Sequence, residues 1–135
     1  MSFVPANIGG GGGGMTQTTL WTNSSPMSGF TVKTANLSDS IENYDYIGIA
    51  YRVTTASSSR PAEVLVVSRN LQYAISSYSN TNLPSITVYS DSTYYARYIT
   101  YSSDTQLGFS AASKIGASGS STTKAIPLHI YGYKL

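Results

Sequence analysis

The chain has 135 residues, of which only 10% are charged, with a formal net charge of +2 and no cysteine, so disulfides and thiolate metal sites are excluded. Its eight Lys and Arg are scattered from Lys33 to Lys134 without a basic block, which argues against a nucleic-acid partner, while 41% hydrophobic residues supply a core. Charge is well below the usual value of about 25%, and Ser, Thr and Asn hold water in its place, a surface suited to neutral partners such as protein subunits and glycans.

Residues 1–8 form a short apolar peptide, and glycine then fills every position from 9 to 14. Each glycine loses the most backbone entropy on ordering, so the run reads as a tether. Its root-mean-square reach is roughly 14 Å, and full extension gives about 20 Å. The expected organisation is therefore an arm over residues 1–14 and one β-domain over residues 15–135. An arm of this kind suggests an assembly component rather than a free enzyme. The apolar stretch 3–8 is too short for a signal-peptide core and lacks a basic flank, and no run approaches membrane-spanning length. Synthesis in a cytoplasm and no membrane partner are expected.

Beyond Met15 the pattern has period two almost everywhere. Strands are predicted over 18–22 and 30–34, and residues 38–45 can hold one helical turn. In 46–53, Ile47, Ile49, Tyr51 and Val53 alternate with Tyr46, Gly48, Ala50 and Arg52. Residues 63–67 lack alternation and read as a strand covered on both faces. Further strands are predicted around Ile86 and Val88, over 93–101, over 107–111, and at the C-terminus, where Ile126, Leu128 and Ile130 alternate with Pro127, His129 and Tyr131. Residues 113–124 read as a long Gly/Ser-rich loop. About eight short strands at this spacing predict an all-β fold, an antiparallel β-sandwich of jelly-roll type, with a closed barrel as the alternative.

Chemistry has little to work with. His129 is the one histidine, so neither a triad nor a histidine metal site is supported, and no catalytic residue, metal or cofactor is expected. Asp39 reads as the cap of a short turn, with Glu42 three residues on as in a capping box. The sequons at Asn23 and Asn36 read as chance matches. The twelve tyrosines weigh more. Tyr89, Tyr94, Tyr95, Tyr98 and Tyr101 crowd one segment, and tyrosine combines a broad apolar face with a polar tip and little rotamer entropy. Strand packing, a subunit interface and a glycan-stacking face all remain open for them.

Three stretches carry a resemblance. They are Leu20-Trp-Thr-Asn-Ser-Ser-Pro26, then Leu37-Ser-Asp-Ser-Ile41 with Asn43-Tyr-Asp-Tyr-Ile-Gly-Ile49, and the ending Ile126-Pro-Leu-His-Ile-Tyr-Gly-Tyr-Lys134. Together they resemble a small β-domain at the C-termini of fibre and baseplate-type proteins of tailed bacteriophages and prophages, over residues 20–135. The resemblance implies a non-enzymatic virion-surface component, head fibre, tail fibre or capsid decoration. A homotrimer is implied, with host surface glycan as a further partner. On that reading Phe3, Val4, Pro5 and Ile8 dock the arm on other virion proteins. Decoration without any ligand and a bacterial surface adhesin are the alternatives. The family supplies no catalytic residues.

Overall fold

A computed structural model describes residues 14–56, 58–72 and 84–135. The arm residues Phe3, Val4, Pro5 and Ile8 lie outside this set. Ten strands run through the described residues: β1 (Thr16–Thr22), β2 (Lys33–Asn36), β3 (Tyr46–Thr54), β4 (Pro61–Val67), β5 (Ser85–Ser90), β6 (Thr93–Ser103), β7 (Gln106–Phe109), β8 (Ala112–Lys114), β9 (Ser120–Ser121) and β10 (Lys124–Lys134). They form two antiparallel sheets. One has the order β1-β10-β3-β4; the other runs β2-β7-β6-β8-β9, with β5 also paired to β6. Successive strands β1, β2 and β3 alternate between the sheets, and the first strand pairs with the last, as in a jelly roll. A β3–β4 hairpin and a β5-β6-β7 meander complete the architecture.

The inward phase of each strand makes one core. Leu20, Ile47, Ile49 and Ile130 from the four-stranded sheet meet Ile86, Val88, Ile99, Leu107 and Phe109 from the other. Each such side chain contributes roughly 1.5–3 kcal/mol on burial. Trp21 closes the layer with its ring 5.9 Å from Phe109. The β1–β10 register slips between Thr19 and Trp21, a bulge that lets consecutive residues Leu20 and Trp21 both reach the core. A second slip, between Pro127 and His129, solves a harder problem. Proline cannot donate to a central ladder and is confined there to bulges. The slip also breaks the predicted Ile126-Leu128-Ile130 row: Leu128 lines the outer groove beside His129, whereas Ile130 stays in the core.

Three expectations are corrected. The 113–124 stretch holds β9 and part of β8, where short Ser-rich segments pair too briefly to leave a pattern. Residues 63–67 belong to an edge strand whose Ala62 to Val66 are only half-buried, not to one covered on both faces. The cap of the 3₁₀ turn Ile41–Asn43 is Ser40, whose hydroxyl accepts from the Glu42 N–H at 3.2 Å, and Asp39 braces it from one residue earlier. A four-residue helical turn, α1 (Ser68–Leu71), follows β4 and was not legible in the periodicity.

One end of the sandwich is tied by a buried charge. Arg97 points inward on β6 and is wholly buried. Its guanidinium donates to five backbone carbonyls: Phe30, Thr31, Ser110, Lys124 and Ala125, at 2.8–3.2 Å. The Phe30 ring lies 4.0 Å from its Cζ. Burial lowers Arg97 to about 10, still far above neutral pH, so the group is cationic. Ala125, one of the acceptors, holds φ at 53°, a conformation that costs an L-residue roughly 1–2 kcal/mol.

Candidate functional site

Two outward surfaces gather the residues that could meet a partner. The first lies beside the β5–β6 hairpin. Asp91 and Ser92 take φ of 54° and 62°, the signature of a two-residue type I′ turn that suits strand twist. The turn puts Tyr89 directly opposite Tyr94. Their rings sit 4.7 Å apart at 58°, and the residues are 58% and 55% exposed. The half-buried Tyr98 shares their face four residues on, about 13 Å along the strand. Exposed Ile115 borders them, its N–H donating to the Tyr94 carbonyl at 2.9 Å. Lys124 steadies the turn through Asp91 at 2.7 Å and Ser90 at 2.8 Å.

The five tyrosines singled out from the sequence do not form one face. Strand side chains alternate, so Tyr95 and Tyr101 point the other way from Tyr94 and Tyr98. Tyr95 is buried in the core. Tyr101 packs against that core and donates its hydroxyl to Asp104 at 2.6 Å. The outward set is Tyr89, Tyr94 and Tyr98.

The second surface is a groove of about 490 Å³ on the outer face of the four-stranded sheet. Ala50 and Leu128 give it an apolar floor, and His129 and Tyr131 make an aromatic wall, stacked at 5.4 Å and 27°. His129 is oriented by Thr22, whose hydroxyl lies 3.1 Å from Nδ1. Glu63 accepts a short hydrogen bond from the Tyr133 hydroxyl, which accepts in turn from Gln17 Nε2 at 2.8 Å. A Cβ on Gly48 would collide with both Glu63 and Tyr133, so glycine there makes room for the pair. Burial, and then the Glu63 charge, raise the Tyr131 hydroxyl above its ordinary pKa. Arg52 completes the rim. Its Nη1 donates to the thioether of Met27, while Nε is buried with no hydrogen-bond partner. The sequence placed His129 beside Tyr131 but carried no sign of Glu63, Arg52 and Gln17 joining them, because only the sheet order brings β1, β10, β3 and β4 side by side.

The carboxylates at the other end of the sandwich are each held by neighbouring side chains. Asp39 accepts from Ser40, Asn43 and the Tyr44 hydroxyl at 2.8–2.9 Å, and these bonds, Tyr44 first, hold it below the usual carboxylate range. Asp104 is lowered by Tyr101 and then Gln72, and the same bond pushes Tyr101 up to about 12. Gln72 Nε2 bridges Glu42 and Asp104 at 3.2 and 3.1 Å. A hollow of about 560 Å³ lies here, lined by Glu42, Asp45, Arg69 and Gln72 among others. Among the described residues no three His, Asp or Glu side chains cluster as metal ligands. Asn23 is buried, with its Nδ2 on the Pro127 carbonyl at 2.9 Å, so the folded structure leaves no room for a glycan on it.

No helix among the described residues is long and apolar enough to cross a membrane. Neither a protein-family model nor a curated protein sequence matches the chain.

Proposed function

We propose that the chain is a non-enzymatic surface component of a tailed-phage virion, a fibre-type or capsid-decorating protein held through residues 1–14. On this reading it contacts host surface glycan through Tyr89, Tyr94 and Tyr98. The observation that carries the reading is the solvent-facing Tyr89–Tyr94 pair beside the tight β5–β6 turn. Two tilted aromatic planes with hydroxyl tips offer stacking surface for sugar rings at little entropic cost. The pair also stands at the end of the sandwich opposite Thr16, so a chain held from its N-terminal side would present it outward. Trp21, Asn23, Ile41 and Tyr44 all make internal contacts, so the partner-facing role falls to other residues. A single weak site of this kind gains strength from many copies on one particle.

The test is a glycan array probed with the full chain displayed on beads. Related glycans should bind, and Tyr89→Ala with Tyr94→Ala should abolish binding while the circular dichroism spectrum is unchanged. A blank array from folded protein would instead favour decoration without a ligand. Exposed Ile115 beside the tyrosines favours one further use of the face, the packing of copies into a trimer, and light scattering that gives a monomer at high concentration would reject it.

A further inference from the structure

The groove on the four-stranded sheet lies on a different sheet from the tyrosine hairpin, and neither site depends on the other. We infer that it binds a single acidic sugar residue, a hexuronate. The recognition elements converge there from four strands. His129 and Tyr131, stacked on each other, offer an aromatic wall to the C–H side of a pyranose. Ala50 and Leu128 supply an apolar floor. Glu63, fixed by Tyr133, and Gln17 are placed to meet hydroxyls.

Arg52 selects the acid. A guanidinium is a fork of donors matched to a planar carboxylate. Here Nε is shut away from water with no acceptor, and Nη1 has a thioether, a weak one. The thioether is the contact an incoming carboxylate would displace, because a charged oxygen accepts far more strongly from Nη1. Glu63 sets the orientation, because its charge keeps the sugar's carboxylate at the Arg52 side. The volume, about 490 Å³, sits in the range of small-ligand pockets.

The experiment is a backbone-amide NMR titration of the full chain with methyl galacturonide, methyl galactoside and sodium acetate in parallel. Saturable shifts centred on Arg52, Glu63, His129 and Tyr131 are expected with the uronide, at least tenfold tighter than with either control. Arg52→Gln should lose that tenfold, and Arg52→Lys should recover part of it, with the remaining amide shifts reporting an intact fold. Tyr89→Ala with Tyr94→Ala should leave the uronide titration untouched, which separates this site from the hairpin. Equal affinity for the galactoside or for acetate, shifts confined to Tyr89 and Tyr94, or no shifts at all would each overturn the inference.

Discussion

The two ends of the sandwich solve the same problem with opposite chemistry. At one, strands and loops converge on Arg97, a charge with no water around it, satisfied by five carbonyls from three separate segments. At the other, the loops are held by tyrosine hydroxyls on carboxylates, Tyr44 on Asp39 and Tyr101 on Asp104, near the solvent. The first arrangement commits many backbone groups to one side chain and does not titrate near neutrality. The second spreads the load over several weak contacts, each of which can be switched by a proton. Depth therefore decides which end is brittle and which is adjustable.

Removing the guanidinium is the strongest way to break this comparison. Arg97→Met strips five backbone acceptors of their donor, those of Lys124 and Ala125 in fully buried bonds, and should cost about 4 kcal/mol, within the range for leaving buried polar groups unpaired. The urea midpoint at constant slope measures it, and a loss below about 1 kcal/mol would mean that the carbonyls find other partners. At the opposite end, a Cβ on Gly132 would lie 2.5 Å from the Tyr44 ring. Gly132→Ala should cost about 1–3 kcal/mol by overpacking, and combining it with Tyr44→Ala should cost little more than Tyr44→Ala alone.

The smallest effect is the dependence on pH. Asp39 and Asp104 have lowered pKa values in the folded state, so their contribution is complete above the ordinary carboxylate range and is lost as pH falls through the folded values. Tyr101, raised to about 12, and Tyr44, raised mainly by burial, contribute below about pH 10 and lose that contribution as pH climbs through their folded values. Stability should be flat from roughly pH 5 to 9 and fall on both sides. Asp39→Asn with Asp104→Asn should flatten the acid side, whereas the loss caused by Arg97→Met should be the same across the plateau. Unfolding curves at a series of pH values decide both.

Much of the fold was legible because alternation is a local signal. Ile47 and Ile49 announced the core face of β3. The same alternation also separates Tyr94 and Tyr98 from Tyr95 and Tyr101, and it puts Arg97 on the inward row between Tyr95 and Ile99. A charged residue on a buried phase is a readable anomaly, but its carbonyl partners are not, because they come from loops with no pattern of their own. The bulge at Leu128 was foreshadowed by Pro127, which a central strand tolerates only there. The groove was illegible for a different reason. Gln17, Arg52, Glu63 and Tyr131 are far apart in sequence, and their meeting depends on the last strand sliding between the first and the third.

That insertion also sets how the domain bears load. Thr16 lies opposite Lys134 and Thr22 opposite His129, in one antiparallel ladder. Tension between the two outer ends of that ladder, at residues 16 and 134, meets its rungs singly, as a zipper does. Tension between residue 16 and residue 124, at the far end of β10, runs along the strands and meets all the rungs at once. The same hydrogen bonds thus make a weak seam in one direction of pull and a strong one in the other.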